Sequence, residues 1–151
     1  MAISRGAGTE IIRSAHFEDV DNAQALIVGE QHHIYTVLNI IVHCAALDAT
    51  TDTAQCYLLG YDSHGGTTAQ NIWIFTQNIQ VDKTFVWNDK FSFNGYEPTN
   101  FSGPMDDATK QNAIADQGSS VAQKLMFDMT SSDDGGQNFH IHITYIDQNN
   151  A

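Results

Sequence analysis

The sequence predicts an all-β protein: a single-domain antiparallel β-sandwich whose strands we expect to form a jelly roll. Segments rich in β-branched and aromatic residues recur along most of the 151 residues. Turn-forming residues separate these segments at fairly even spacing, as in sandwiches and jelly rolls. The length suits one domain with a substantial core, and no repeat or linker divides it. Residues 1–151 are therefore interpreted as one domain.

The first three predicted strands lie in the first third of the chain. Thr9–Phe17 mixes β-branched and aromatic residues in rough alternation and is followed by the turn-like EDVDN. Ala23–Val28 is short and apolar, and Gly29 ends it. His33–Ala46 is unusually long for a small domain and carries apolar residues on both faces of its pleat.

Five further segments complete a pattern of about eight strands. Gln55–Ser63 and Gln70–Val81 lie on either side of the flexible HGGTT. Thr84–Phe93 is aromatic at alternate positions, although its Asn-Asp pair could instead form a hairpin turn that splits it. Val121–Thr130 and Asn138–Asp147 lie on either side of the loop SSDDGGQ, and both return to the strand pattern.

Two regions depart from the strand pattern. Residues 95–120 form a long insertion, in which Asp106–Gln117 contains good helix formers after Asp caps and predicts one short helix. Residues 1–8 are polar and contain glycine, so we expect an arm that becomes ordered only on docking. The N-terminal residues lack the apolar run of a secretion signal, and no segment is apolar for long enough to span a bilayer.

The charge of the chain bears on its partners. The formal net charge is −12, and the six Lys and Arg residues are scattered. Phosphate contacts need clustered basic residues, so we do not expect this chain to bind nucleic acid. The two cysteines, Cys44 and Cys56, lie on neighbouring predicted strands. We expect both thiols to be free and buried, as in proteins made in a reducing compartment. A disulfide between them is the alternative.

The long strand predicts an oligomer. Strict alternation places Ile34, Thr36, Leu38, Ile40, Val42 and Cys44 on one face. The other face then carries Tyr35, Val37, Asn39, Ile41, His43 and Ala45. Apolar residues on both faces indicate that both are covered, one by the core and the other by an extra layer or a neighbouring subunit. We therefore assign Tyr35, Val37, Ile41 and His43 to a subunit interface.

The stretch FHIHITY raises the question of a metal site. Phe139, Ile141, Ile143 and Tyr145 make the natural core face, so His140 and His142 point away from it. No third ligand lies at a recognised spacing, and the following ITYIDQNNA lacks the glutamate and glycine of a cupin-type motif. We expect no metal and no cofactor. Both histidines instead lie on a half-buried strand face, or at an oligomer axis where imidazoles meet their symmetry mates.

No residue pattern predicts catalysis. The chain has no Gly-x-Ser-x-Gly elbow, and both cysteines lie within apolar strands. The YDSHGG stretch brings Asp, Ser and His together consecutively, whereas the members of a triad converge from separate elements. Paired acids in Ser- and Gly-containing loops are typical of solvated turns, and no EF-hand ligand series is present. We therefore expect a protein without enzymatic activity.

Several segments resemble small structural proteins of tailed bacteriophages. They are SRGAGTEIIRSAHFEDV, EQHHIYTVLNIIVH, TFVWNDKFSF and the closing HIHITYIDQNN, and the resemblance passes over the insertion at 95–120. It implies a capsid decoration or cement protein, often a jelly-roll trimer seated on the major capsid protein or another virion protein. It also implies localisation to the virion after synthesis in the host bacterial cytoplasm, and it brings no catalytic residue with it.

Two other functions stay open from the sequence. One is a carbohydrate- or receptor-binding module of the virion or tail, with the Gly-rich loops or the insertion, including Tyr96, as its site. Its aromatic residues, such as Trp73 and Phe75 on one strand face, are more typical of a core. The other is a metal-dependent enzyme that uses His140 and His142.

Overall fold

A computed structural model describes residues 8–47, 52–61, 68–98, 108–109, 111–112, 120–130 and 136–150. Its strands are β1 (Thr9–Val20), β2 (Gln24–Val28), β3 (His33–Ala46), β4 (Asp52–Tyr61), β5 (Ala69–Ile79), β6 (Thr84–Trp87), β7 (Phe91–Asn94), β8 (Tyr96–Pro98), β9 (Ser120–Ala122), β10 (Lys124–Met129) and β11 (Asn138–Asn149). Residues 108–109 and 111–112 are helical, and the rest of the predicted helix lies outside the described residues, as does the docking arm apart from Gly8.

The strands form two main sheets. Sheet A has the order β1-β11-β3-β6, with β7 also paired to β3, and sheet B has the order β2-β10-β4-β5. Strands β8 and β9 make a small separate pair that joins the two ends of the predicted insertion, and β9 extends into the predicted strand Val121–Thr130. Every pairing is antiparallel. The prediction of an all-β antiparallel sandwich is confirmed.

The pairs are nested in the order of the chain. Strand β4 pairs with β5, β3 pairs with β6 and β7, β2 pairs with β10, and β1 pairs with β11. Two further pairings, β3 with β11 and β4 with β10, join these nested pairs into the two sheets. The first and last strands therefore lie side by side.

The core lies between the two sheets. On β11 the side chains of Phe139, Ile141 and Ile143 are fully buried, and the residues between them are partly exposed. The ring of Phe127 from β10 of sheet B packs 5.5 Å from the ring of Phe139, which joins the sheets. The core face predicted for FHIHITY is confirmed, because burial alternates along this strand with a period of two.

The faces predicted for β3 are partly wrong, because the strand contains a bulge. Val37 pairs with Tyr145 and Asn39 pairs with Thr144, which leaves Leu38 as an extra residue. An extra residue shifts the alternation by one position, so the face that points inward changes at this point.

The bulge moves two predicted interface residues into the core. Tyr35 and Val37 are 2% and 0% exposed, and they share the core with Ile40, Val42 and Cys44 from beyond the bulge. Their side chains are therefore not available to a partner. Ile34, predicted to share a face with Cys44, is 37% exposed.

A second bulge corrects the prediction for Trp73 and Phe75. Phe75 pairs with Cys56 and Trp73 pairs with Tyr57, so Ile74 is the extra residue of β5. Phe75 packs partly buried against the core, whereas Trp73 is 50% exposed. The two aromatic residues do not share a core face. The predicted strand Thr84–Phe93 is divided into β6 and β7, but not by a hairpin turn, because both segments pair antiparallel with successive parts of β3.

A buried carboxylate ties three strands of sheet A together. Asp147 of β11 is fully buried, and it accepts hydrogen bonds from Arg13 Nη1 of β1 at 3.1 Å and from His33 Nδ1 of β3 at 2.6 Å. The bond with Asp147 raises the pKa of the Arg13 guanidinium, which also lies 5.9 Å from the ring of Tyr145. Such a buried charge is stable only while its partners remain in place.

Replacing Asp147 by Asn tests this network. We expect the free energy of unfolding to fall by about 1–3 kcal/mol, because an amide cannot accept both charge-assisted bonds and its NH2 group is left buried. Urea unfolding measures the change. The matched control is Asp89→Asn, at an exposed position between β6 and β7, where a change within about 0.5 kcal/mol is expected. Equal unfolding midpoints for the two variants would contradict the proposed role of Asp147.

Candidate functional site

The outer face of sheet A, the face turned away from sheet B, is the most distinctive surface of the described chain. Its residues form rows across the strands, because paired residues of neighbouring strands point to the same side. The register places there Ile12, Ser14 and His16 of β1, His140, His142, Thr144 and Ile146 of β11, Thr36, Asn39, Ile41 and His43 of β3, Thr84 and Val86 of β6, and Ser92 of β7.

None of these central residues is Asp, Glu, Lys or Arg, although the chain contains 18 acidic and six basic residues. The same face carries Glu10, opposite Gln148, at one end and Glu18, beside His140, at the other. The face mixes hydroxyl groups, imidazoles and branched apolar side chains. Of the apolar ones, Ile12 is 73% and Val86 is 51% exposed. Depletion of charge at the centre of a surface is characteristic of protein–protein interfaces.

Hydrogen bonds within the rows satisfy several polar side chains of this face. The hydroxyl groups of Ser14 and Thr144 lie 3.4 Å apart, and those of Thr36 and Ser92 lie 2.9 Å apart. His43 Nδ1 and the hydroxyl of Thr84 are 2.8 Å apart. Because these groups already bond to each other, covering them leaves fewer unpaired donors and acceptors.

Four histidines lie together at one end of the face. His16 Nδ1 is 3.2 Å from His142 Nδ1, and the two rings are tilted with centroids 5.4 Å apart. The rings of His43 and His140 stack with their centroids 6.3 Å apart. His16 and His140 both contact Glu18, a residue of β1 at the margin of the face.

The structure brings together four of the six residues assigned to an interface from the sequence. Ile41, His43, His140 and His142 are neighbours on the outer face of sheet A. Tyr35 and Val37 lie in the core instead, because of the bulge at Leu38. Sequence analysis missed His16, Ile12 and Val86. The alternation of their own strands indicates that they share a face, but only the register across strands shows which residues they join.

The cysteine thiols lack the features of a nucleophile. Cys44 of β3 and Cys56 of β4 are free and buried, as expected. Burial raises the pKa of the Cys44 thiol and raises that of Cys56 to about 12. Both therefore stay protonated at neutral pH, whereas a reactive cysteine needs its thiolate. Of the YDSHGG stretch only Tyr61 lies within the described residues.

A cleft of about 360 Å³ opens between β5 and β6. It is lined by Gln77, Asn78, Ile79, Gln80, Lys83, Thr84 and Phe85. Amide, hydroxyl and amine groups of this kind can bind a polar molecule. The described lining contains no carboxylate, imidazole or thiol, which are the common groups for proton transfer.

The described strands define an all-β sandwich. No protein-family model matches the chain, and no curated protein matches it in sequence. Among solved structures, the chain has a weak structural similarity to a chain in the structure of the infectious bursal disease virus Gx strain, with 10% sequence identity and a TM-score of 0.34. The similarity covers 93% of this chain and 29% of that one, so this chain spans less than a third of that chain's length.

No helix in the described part of the chain is long and apolar enough to cross a membrane.

The state of the thiols can be tested with an aromatic disulfide reagent at pH 8. We expect neither Cys44 nor Cys56 to react in the folded protein within minutes, and both to react in urea. Burial of Cys56 also affects stability, because its thiol ionises near the ordinary cysteine pKa of 9.0 in the unfolded chain and near a pKa of about 12 in the folded one. The free energy of unfolding should therefore decrease as the pH rises between these values. A thiol that reacts rapidly in the native protein would contradict the burial, and a thiol count of zero in urea would indicate a disulfide.

Proposed function

We propose that this chain is a non-enzymatic structural protein of a virus particle, more specifically a capsid decoration or cement protein of a tailed bacteriophage. The outer face of sheet A is its docking surface. The observation that carries the proposal is the absence of charged side chains from the central rows of this face, between Glu10 and Glu18 of β1, in a chain of net charge −12. The resemblance of four segments to phage structural proteins supports the same function.

The sandwich in this proposal is a jelly roll. The nested pairs β1 with β11, β2 with β10, β3 with β6 and β7, and β4 with β5 are those of one long hairpin. Such a hairpin becomes a jelly roll when it is rolled into two sheets, with successive strands passing between them. The strand orders of sheets A and B agree with this topology.

The size of the docking surface favours many weak contacts over one strong contact. Four strands and the rows from Ile146 to His140 cover roughly 20 Å by 20 Å, given strand spacings near 4.8 Å and a rise near 3.4 Å per residue. That is about 400 Å², half of the approximately 800 Å² that each partner contributes to a standard interface. A single contact of this size is weak, and repetition over a shell strengthens it by avidity.

The proposal includes self-association as a trimer, which the resemblance to phage decoration proteins implies. The branched side chains of Ile12 and Val86 extend the docking surface to both edges of sheet A. One part of the face can therefore contact the neighbouring copy while another part contacts the major capsid protein. The acidic remainder of the chain keeps the free protein soluble before it assembles.

Replacing Ile41 by Glu tests the docking surface. Ile41 pairs with His142 and Val86 at the middle of the face, so a carboxylate there must lose its water when a partner covers it. We expect loss of self-association by light scattering and at least a roughly tenfold loss of occupancy on particles, since about 1.4 kcal/mol corresponds to a factor of ten. Circular dichroism and urea unfolding verify that the fold survives.

Two further variants make this experiment decisive. Val86→Glu introduces the same charge at a more exposed neighbouring position and should have the same effect without a cost to folding. Ile72→Glu, at an exposed position of β5 in sheet B, is the matched control and should assemble normally. If both sheet A variants keep the size and occupancy of the wild type, the outer face of sheet A is not the docking surface. If Ile72→Glu alone dissociates, docking occurs on sheet B.

A carbohydrate- or receptor-binding module is the second candidate, and one observation favours it. Trp73 is 50% exposed and meets the ring of Tyr57 edge-on, with the ring centroids 4.8 Å apart. Their register places both on the side of sheet B that faces away from the core. Exposed aromatic rings on a sheet can stack against the apolar face of a sugar.

Replacing Trp73 by Ala separates the two functions. If the chain binds glycans there, binding on a glycan array should be lost in this variant, because the stacking ring is gone. The neighbouring Ile72→Ala should keep the binding. A parallel Tyr96→Ala variant examines the insertion, where Tyr96 pairs with Ala122. Binding that survives in both aromatic variants would remove these residues as sugar-contacting groups, and normal particle occupancy in Trp73→Ala is expected if the chain is a decoration protein.

A further inference from the structure

A bulge near the end of β1 gathers three potential metal ligands. Phe17 pairs with Ile141 and Val20 pairs with Phe139, so Glu18 and Asp19 together lie opposite the single residue His140. Asp19 adopts a left-handed backbone conformation with φ of +54°. In a regular strand one of these two acidic side chains points to the opposite face, whereas the bulge lets both approach the same imidazole.

The ligand atoms of Glu18, Asp19 and His140 are close to one another. One oxygen or nitrogen from each residue lies within 4.8 Å of the others. Glu18 Oε2 is 2.5 Å from His140 Nδ1. Two carboxylates and an imidazole at such separations can converge on one ion with modest side-chain adjustment, since metal–ligand bonds to these groups are about 2.0–2.2 Å long.

Neighbouring side chains orient both carboxylates. Glu18 Oε1 accepts a hydrogen bond from His16 Nε2, and His16 Nδ1 in turn meets His142 Nδ1 at 3.2 Å. Asp19 Oδ1 accepts a hydrogen bond from Asn138 Nδ2 at 2.9 Å. Each carboxylate therefore has one oxygen held by a neighbour, and Glu18 Oε2 is left facing His140. This is the arrangement by which surrounding hydrogen bonds orient the ligands of metal sites.

The donor set selects the class of ion. Imidazole nitrogen suits first-row transition ions such as Zn²⁺, whereas Ca²⁺ and Mg²⁺ prefer a shell made only of oxygen atoms. Glu18 and Asp19 are exposed and His140 is partly buried, so the ion remains in contact with water, which completes its coordination.

We infer that Glu18, Asp19 and His140 form a binding site for a divalent transition-metal ion of the Zn²⁺ type. This site differs from the one considered from the His-x-His pattern, because His142 supports it through His16 and Glu18 and does not itself bind the ion. It also departs from the expectation, drawn from the sequence, that the chain binds no metal. That expectation rested on spacing along the sequence, and Glu18 and His140 are 122 residues apart, as their numbers show (140 − 18).

Titration of the tag-free chain with ZnCl2 tests the site, by calorimetry and by equilibrium dialysis with elemental analysis. We expect about one Zn²⁺ per chain, and a roughly tenfold or greater loss of affinity in Glu18→Gln and in His140→Ala, as for other substitutions around metal sites. Glu10→Gln is the matched control, because it makes the same change on the same strand, opposite Gln148 at the other end of the pairing. Its affinity should equal that of the wild type.

Three outcomes would overturn the inference. One is that Glu10→Gln weakens binding as much as Glu18→Gln, which indicates a diffuse effect of negative charge. The second is that His140→Ala leaves Zn²⁺ binding unchanged. The third is that equimolar Ca²⁺ displaces Zn²⁺. Either of these two results would indicate that the imidazole of His140 does not bind the ion. Circular dichroism verifies that each variant is folded. The metal site and the docking surface can be tested separately, because the docking variant Ile41→Glu changes none of the three metal ligands.

Discussion

The burial of alternate residues of β11 is the constraint on which the rest of this structure depends. Phe139, Ile141 and Ile143 are fully buried between the sheets, and a slip of one residue in either neighbouring strand exchanges a core side chain for an outer one. The register of β11 with β1 and β3 is therefore fixed by the core. That register in turn places His16 beside His142 and His43 beside His140, so the composition of the outer face is a consequence of core packing.

The charges of sheet A lie at the two ends of the pairing between β1 and β11. At one end Glu10 lies opposite Gln148 on the outer face, whereas the nearby Asp147 points to the core side and bonds to Arg13 and His33. At the other end Glu18 and Asp19 project beside His140. The rows between these ends carry only hydroxyl, imidazole, amide and apolar side chains. An uncharged centre with charged margins is the arrangement that docking surfaces use, because desolvation of charge is costly at the centre and small at the rim.

The sequence predicts the strands of this fold well and the outer face only in part. The bounds of β3 and the two faces of β11 follow from local patterns, because each depends on residues close together in the chain. The bulge at Leu38 leaves no local signal, and it changes the interpretation of β3. Two residues of its predicted second apolar face, Tyr35 and Val37, belong to the core. The outer face of β3 carries Thr36, Asn39, Ile41 and His43. The case for an interface therefore depends on missing charge in the central rows of sheet A and less on one strand that is apolar on both faces. The approach of Glu18 to His140 could not be predicted either, since it requires both the pairing of the first and last strands and a bulge between Phe17 and Val20.

The position of Glu18 and Asp19 links the two properties proposed for sheet A. Both acids border the histidine end of the proposed docking surface, and their carboxylates lie beside central rows that contain no charged residue. A divalent ion held by them neutralises that charge and fixes the orientation of His140, which belongs to the docking surface itself. If a partner covers this end of the face, the free energies of docking and of metal binding are coupled, and the coupling is reciprocal. Its sign depends on the charge of the partner: an acidic partner surface docks more tightly when the ion is bound, and a basic one docks more tightly when the carboxylates are free.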